Sequence, residues 1–353
     1  MSIRLFKCFI IIMMVAVFYV PALHATDIFK PWMARDDQLP WNKPGWAGSL
    51  KGKTVVHIDS YNPKTMAWWS GAIRNRVREL LDPTGVKLIY HYCDTKNPDV
   101  NKSEAFGAAK GVVGEKKPDV VIFNDDNAWE YLYGPHYMKS PTPFVFAGIN
   151  NNLDKYQGRI GRNITGMVEV NPSGLVAQLA EIAGKKESEV IIGFLANPQP
   201  AHLIDANMLK GLYGKHLKEL YAKTWKEWQE DYIALQKKCD VLIVAHTQGF
   251  KDWPSDDAVV MNFLHRFTSK PTGCWIDNTA KYCLIGYVKY AADQAEYMVF
   301  CAWSIMTGAS PADIPVVTNR RGKFIINRGF GQKTGLYENI PLDVEEMADQ
   351  VLE

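Results

Sequence analysis

The 353-residue chain carries 40 lysines and arginines against 38 aspartates and glutamates, a formal net charge of +2, and its first 26 residues contain two basic and no acidic side chains. The rest of the chain is therefore about neutral and has no long run of lysine and arginine, which excludes the basic surface expected of a nucleic-acid-binding protein. With 47% hydrophobic residues, the roughly 325 remaining residues can bury a sizeable core, and their number favours two domains over one.

The first 25 residues have the pattern of a cleaved secretory signal. Arg4 and Lys7 precede the apolar run 9–20, and Ala25 is a small residue at which such a segment is cut. An uncleaved membrane anchor is the alternative, but the apolar run is shorter than the ~20 residues that a membrane-spanning helix needs. We therefore predict a signal peptide at residues 1–25 and a periplasmic or secreted protein.

Strands and helices alternate in the first block of the remaining chain. Strands are predicted at 54–58, 87–92, 119–123 and 144–147, and helices at 66–81 and 102–113. Several of these strands are continuous runs of Val, Ile and Phe, which is typical of a parallel sheet covered on both faces. In the first helix, Trp69, Ile73, Val77 and Leu80 fall on one apolar stripe. Residues 51–165 are predicted to form an N-terminal α/β lobe.

The second block, 166–285, repeats this architecture and predicts a C-terminal α/β lobe. Its strands are predicted at 189–195 and 239–245, and its helices at 172–183, 203–222, 232–238 and 256–267. A long helix at 287–307 and the apolar segment 314–317 predict that residues 286–317 return to the first lobe, and the tail 318–353 joins the second. The predicted fold class is therefore α/β, with two doubly wound parallel-sheet lobes.

Five cysteines follow the signal segment: Cys93, Cys239, Cys274, Cys283 and Cys301. An odd number excludes complete internal pairing, and no two of them have the spacing of a zinc or redox motif. Cys274 and Cys283 are the only close pair, and both a disulfide and two buried free thiols remain open for them. No metal or other cofactor is predicted.

Short polar segments follow the predicted strands. In open parallel sheets, ligands bind beyond the carboxyl ends of the strands. The segments are 59–62, 124–129 and 148–152 in the first block, and 196–200, 246–249 and 277–279 in the second. Two such sets, one from each lobe, predict a ligand-binding cleft between the lobes.

Seven longer motifs occur in a fixed order within residues 51–352: VVHIDSYNPKTMAWWSGAIRNRVREL, DVVIFNDDNAWEYL, PFVFAGINNN, NITGMVEVNP, GYVKYAADQAEYMVFCAWSIMTGASPADIPVV, KFIINRGFGQKTGL and ENIPLDVEEMADQVL. This order resembles the substrate-binding proteins of ABC transporters with the type I periplasmic binding fold, a family that includes aromatic amino-acid uptake proteins. The resemblance implies two α/β lobes, joined by a hinge of three crossings, that close over a small solute without catalysis. The protein is predicted to be a monomer. The aromatic amino-acid members carry small polar residues after strand three, whereas this chain has Asn-Asp-Asp-Asn at 124–127, so the ligand stays open.

The predicted ligand contacts come from the polar segments and the crossing between the blocks. They are Ser60, Tyr61, Trp68, Asp125, Asp126, Asn127, Asn150, Asn151, Glu169, His246 and Asp277. Trp69 is interpreted as a core residue, and a helix N-cap is the alternative role for Asp126 or Asn127. The clustered carboxylates lack the ligand spacing and glycine turn of a calcium loop. They favour a ligand with an ammonium group, such as an amino acid or amine.

The sequence therefore predicts an extracytoplasmic protein that captures a small polar organic ligand and delivers it to the membrane subunits of an ABC permease. A ligand sensor that acts on a sensor kinase is the first alternative. A secreted hydrolase is the second, because His57, Asp59 and Ser60 are the residue types of a catalytic triad. Neighbours on a strand point to opposite faces, however, and no Gly-x-Ser-x-Gly elbow is present, so an enzyme is not predicted.

Overall fold

The computed structural model describes residue 32 and residues 36–150, 161–172, 174–247, 249–319 and 321–353. The predicted signal peptide and Asn151 lie outside the described residues. No helix within these ranges is both long and apolar enough to cross a bilayer.

Thirteen strands and nine longer helices are described. The strands are β1 (Thr54–Asp59), β2 (Lys87–Tyr92), β3 (Val120–Asn124), β4 (Phe144–Ile149), β5 (Ile164–Val168), β6 (Ile192–Ala196), β7 (Leu217–Tyr221), β8 (Val241–Val244), β9 (Thr272–Cys274), β10 (Ile285–Lys289), β11 (Val317–Thr318), β12 (Gly322–Asn327) and β13 (Gln350–Leu352). The helices are α1 (Ala72–Leu81), α2 (Lys102–Lys116), α3 (Leu175–Ile182), α4 (Pro200–Tyr213), α5 (Trp225–Lys238), α6 (Asp257–Phe267), α7 (Ala291–Met306), α8 (Arg328–Thr334) and α9 (Leu342–Glu346). Two π turns, Ala67–Gly71 and Trp129–Tyr133, complete helical segments that follow β1 and β3.

The strands form two sheets, which confirms the predicted α/β class with two parallel-sheet lobes. The first sheet has the order β11-β5-β4-β3-β1-β2 and is parallel in every pairing that the structure describes. The second has the order β13-β12-β10-β9-β8-β6-β7, with β12 antiparallel to β10. The strand order reverses at β1 in the first sheet and at β6 in the second. Ligands bind at such switch points in open α/β sheets.

Helices cover both faces of the first sheet, as its continuous apolar strands predict. Val55 and Ile122 pack on the face that carries α1 and α7. Phe123 and Phe146 pack on the opposite face, which carries α2. All four side chains are fully buried. The polar residues that follow these strands therefore lie at the edge of a rigid, well-packed layer.

Two segments predicted as helices contain a strand. In the predicted helix 203–222, α4 ends at Tyr213, and Gly214 has a positive φ of +51° that breaks the helical path. The chain then forms β7, which pairs with β6. In the predicted helix 287–307, β10 continues to Lys289 and α7 begins only at Ala291. Both strands depend on hydrogen bonds to distant strands, which a local sequence pattern does not reveal.

Three chain segments connect the two sheets, after β5, after β10 and after β11. Asn319 joins the first and third segments, because its Oδ1 accepts from the backbone N–H of Val170 at 2.7 Å and its Nδ2 donates to the Val170 carbonyl at 3.1 Å. Arg321 donates from Nε to Asp293 Oδ1 of α7 at 2.7 Å and also pairs with Glu296. These hydrogen bonds and ion pairs hold the three connecting segments next to one another, as expected for a common hinge.

Candidate functional site

A buried carboxylate, Asp59, organises the end of β1. Its Oδ1 accepts hydrogen bonds from the Tyr61 backbone N–H and from Ser70 Oγ, both at 2.9 Å, and its Oδ2 accepts from the Tyr90 hydroxyl at 2.7 Å. These bonds fix the turn after β1 against the π turn Ala67–Gly71. Single π turns are frequent at functional sites.

Ser60 and His57 bind the end of β3. Ser60 is fully buried, and its Oγ donates to the Asn124 carbonyl at 2.7 Å and accepts from the Ala128 N–H at 3.2 Å. His57 Nε2 lies 2.8 Å from Asn124 Oδ1, and burial lowers the pKa of His57, although the nearby Asp59 opposes this effect. No hydrogen bond between Ser60 and His57 occurs among the described contacts, so these residues do not have triad geometry.

Ser60→Ala is expected to lower the free energy of unfolding by about 1–2 kcal/mol, because it removes a buried hydroxyl that makes two hydrogen bonds. Ligand affinity should stay unchanged, since both bonds of Oγ are made within the protein. Urea unfolding and titration calorimetry measure the two quantities, with Ser103→Ala on the exposed start of α2 as the control. Weaker ligand binding with unchanged stability would instead place Oγ in contact with the ligand.

Asp125, directly after β3, combines backbone strain with burial. Its backbone angles, φ +74° and ψ 159°, fall in a region that glycine almost alone occupies, at a cost of about 1–3 kcal/mol. The side chain is 2% exposed, and Oδ2 has no hydrogen-bond partner within the described part of the chain. Burial, and then the charge of Glu169, raise the pKa of Asp125 well above its usual range. The carboxyl group therefore has an unused oxygen that can receive a proton or a ligand.

Asp126, Asn150 and Glu169 are connected through Lys289. Asp126 Oδ2 accepts from the Asn150 N–H at 3.2 Å, and Asn150 Oδ1 accepts from Lys289 Nζ at 3.1 Å. Lys289 Nζ lies 2.7 Å from Glu169 Oε1, and both side chains are buried. Burial alone lowers the pKa of Lys289, but Glu169 and then Asp205 outweigh burial, so this pKa is raised. Because Lys289 ends a strand of the second sheet and Glu169 follows a strand of the first, their ion pair joins the lobes.

Aromatic rings border the same region. The Trp68 ring, on the π turn of the first lobe, lies 5.6 Å from the ring of His246, which follows β8 of the second lobe. The indole Nε1 of Trp68 is buried without a hydrogen-bond partner among the described residues. Lys96 Nζ lies 4.9 Å from the centre of the Tyr61 ring. Burial, and then Asp125, raise the pKa of Tyr61, so its hydroxyl stays protonated.

The second lobe adds groups that sequence analysis missed. His202 Nδ1 lies 3.0 Å from the Asn197 carbonyl oxygen, and burial lowers the pKa of His202, with Lys289 among the smaller contributions. Asp205 Oδ1 accepts from Asn171 Nδ2 at 2.7 Å. His202 and Asp205 lie on α4 directly after the polar segment 196–200, and this position could have marked them as candidates. No sequence pattern marked Lys289, because it lay inside a predicted helix.

The structure does not bring every predicted contact to this region. Asn127 donates from Nδ2 to Thr95 Oγ1 at 3.0 Å, and its Oδ1 accepts from Lys102 Nζ at 3.3 Å. Asp277 faces Lys323 at 3.8 Å with 42% of its side chain exposed, and it lines a separate cavity of about 260 Å³. The predicted residues that lie together are Tyr61, Trp68, Asp125, Asp126, Asn150, Glu169 and His246. We call these seven residues, with Lys289, His202 and Asp205, the interlobe site.

The cysteines and acidic residues show no metal site within the described ranges. All five described cysteines are buried free thiols, including Cys274 and Cys283, whose pairing the sequence left open. Cys274 Sγ instead donates to the Ile276 carbonyl at 3.4 Å.

The fold resembles that of solved solute-binding proteins, whereas no protein-family model and no curated protein matches the sequence. The ABC domain from Streptococcus pneumonia in complex with L-Trp has a TM-score of 0.61 at 17% identity, over 85% of this chain and 99% of that chain. A ligand-free, open substrate-binding protein with adhesive properties from Clostridium difficile has a TM-score of 0.60 at 14% identity, over 80% and 95%. A carbohydrate transporter from Acidothermus cellulolyticus in complex with myo-inositol has 0.51 at 12% identity, over 82% and 99%. At these identities the similarity shows the fold, the type I periplasmic binding fold, and leaves the ligand open.

Proposed function

We propose that the chain is an extracytoplasmic solute-binding protein that captures a small polar organic ligand at the interlobe site and delivers it to the membrane subunits of an ABC permease. Asp125 is the observation that carries this proposal. An unsatisfied buried polar group costs about 1–3 kcal/mol, and Asp125 adds backbone strain. Both features cost stability, and strained residues of this kind cluster at ligand-binding and active sites.

The chemistry of the site supports binding rather than catalysis. Ser60 and His57 are occupied by bonds to Asn124, so they do not form a nucleophile and its base. The remaining groups are aromatic rings together with carboxylate, amide and lysine side chains, which can hold a small polar ligand through placed hydrogen bonds. A ligand that contacts both Asp125 and His246 would bridge the lobes and shift the equilibrium towards a closed form.

The location and the partner rest on the N-terminal pattern and the fold. A cleaved segment at residues 1–25 would export the protein, and the fold suits a monomer that presents its closed form to a permease. Export is tested by fractionating cells that express the full chain and sequencing the N-terminus of the exported protein, which we expect to begin near Thr26. Retention in the cytoplasm would contradict this part of the proposal.

Solute capture is tested by a thermal-shift screen of the purified protein against amino acids, amines, nucleosides, sugars and organic acids. A ligand that binds only the folded state stabilises it by about 2.7 kcal/mol at a concentration of 100 times Kd. We expect a concentration-dependent rise of Tm for one chemical class. The rise should persist in Asp277→Asn, outside the interlobe site, and disappear in Trp68→Ala. No shift for any class would contradict solute capture.

A further inference from the structure

The interlobe site presents an unused acidic oxygen, whereas its buried cation is occupied. Asp125 Oδ2 is the only carboxylate oxygen in the described ranges that is buried without a partner. Lys289 is held by Glu169 at 2.7 Å. Lys96 is exposed and lies over the ring of Tyr61. The charge complementary to this site is therefore positive.

In the buried part of the site a ligand carboxylate has no free cation to pair with, since Lys96 is an exposed side chain. To be paired there, it would have to draw Lys289 away from Glu169 and leave that buried carboxylate unpaired next to the carboxyl group of Asp125. Removing one partner from a buried ion pair is strongly unfavourable, because it leaves an uncompensated charge.

A neutral hydrogen-bond acceptor on the ligand, in contrast, has a donor in the site. The indole N–H of Trp68 is buried and has no partner among the described residues, so a ligand carbonyl or hydroxyl oxygen can accept from it. The rings of Trp68 and His246, 5.6 Å apart, offer apolar surface beside this donor. The complementary ligand has a cationic nitrogen, a neutral oxygen and an apolar part.

We infer that the interlobe site selects cationic amines without a free carboxylate, with the ammonium group on Asp125 and the apolar part on Trp68. This inference rests on the proposed function and specifies its ligand class. Amides of amino acids fit the description, because they keep the ammonium group and replace the carboxylate by a neutral group of the same size. Free amino acids do not fit it.

Titration calorimetry with matched probes tests this selection on the purified protein. Isobutyl, benzyl and indolylmethyl side chains are each offered as the simple amine, the amino-acid amide, the free amino acid and the acid without an amino group. In at least one series we expect the amide to bind more tightly than the amino acid by about 30-fold or more, and the acid not to bind. An amino acid or acid that binds as tightly as its amide would overturn the inference.

Asp125→Asn provides the matched variant, because it keeps the size of the side chain and removes the charge. It should weaken amide binding by about 30-fold or more, whereas Asp277→Asn should leave it unchanged. Equal binding by wild type and Asp125→Asn would overturn the assignment of the ammonium group. If no amine probe binds but a sugar or nucleoside raises Tm in the wider screen, the amine class fails and the proposed function stands. If nothing binds in either experiment, both fail.

Discussion

Replacement of Lys289 by methionine is expected to lower the free energy of unfolding by about 3–5 kcal/mol, a large part of the roughly 5–15 kcal/mol that stabilises a typical domain. Methionine retains the length and apolar stem of lysine, but it leaves Glu169, which is 7% exposed, without its cation. The buried carboxylate must then remain charged without a partner or take up a proton, and both states are unfavourable. Urea unfolding at neutral pH measures the loss.

A matched lysine on the neighbouring strand serves as the control. Lys323 of β12 faces Asp277 at 3.8 Å, and both side chains are partly exposed, so Lys323→Met should change stability by less than about 1 kcal/mol. The double variant of Lys289→Met with Glu169→Gln should recover most of the loss, because it contains no buried charge at this point. A Lys289→Met protein as stable as the wild type would show that the ion pair does not hold the crossings together.

The central strands were predictable because a strand covered on both faces is a continuous apolar run in the sequence. The apolar runs 54–58 and 119–123 correspond to β1 and β3, which lie inside the first sheet and are covered on both faces. β7 lies at the edge of the second sheet and is only half-buried. Its sequence therefore continues the amphipathic pattern of the preceding helix, and only pairing with β6 distinguishes it as a strand.

The interlobe site was predictable where its residues directly follow a strand. Asp125 was predicted in this way, because the carboxyl edge of a parallel sheet is known from the strands alone. Glu169 was predicted from its place at the crossing between the two blocks, since no strand was predicted before it. The direction of a side chain is not given by the same rule, and Ser60 turns its Oγ to Asn124 instead of the cleft. Lys289 could not be found, because its role requires the contact with Glu169 from a distant part of the chain.

Asp125→Asn is expected to stabilise the ligand-free protein by about 1–2 kcal/mol at neutral pH, within the range of stabilising substitutions at sites where function limits stability. Asparagine tolerates positive φ about as well as aspartate does, so the comparison isolates the charge of the carboxyl group. The substitution removes two costs: that of keeping the carboxyl group protonated above its ordinary pKa, and that of burying its charge beside Glu169.

The raised pKa of Asp125 determines how the stability of the wild type changes with pH. The pKa of Asp125 is raised in the folded protein, first by burial and then by Glu169, whereas an unfolded chain releases this proton near the ordinary pKa of about 3.9. Above that pH the folded state binds more protons than the unfolded state, so the free energy of unfolding of the wild type falls as pH rises towards the folded pKa. The Asp125→Asn protein lacks this contribution.

Melting of both ligand-free proteins between about pH 5 and pH 8 should therefore show a stability difference that grows with pH, and Asp277→Asn should show none. A variant no more stable than the wild type across this range would mean that the surroundings of Asp125 do not disfavour its ionised carboxyl group. The expected result links stability to selection, because an ammonium group that binds Asp125 supplies the positive charge whose absence destabilises the empty site. Ligand binding would then remove the unfavourable free energy that Asp125 adds to the ligand-free protein.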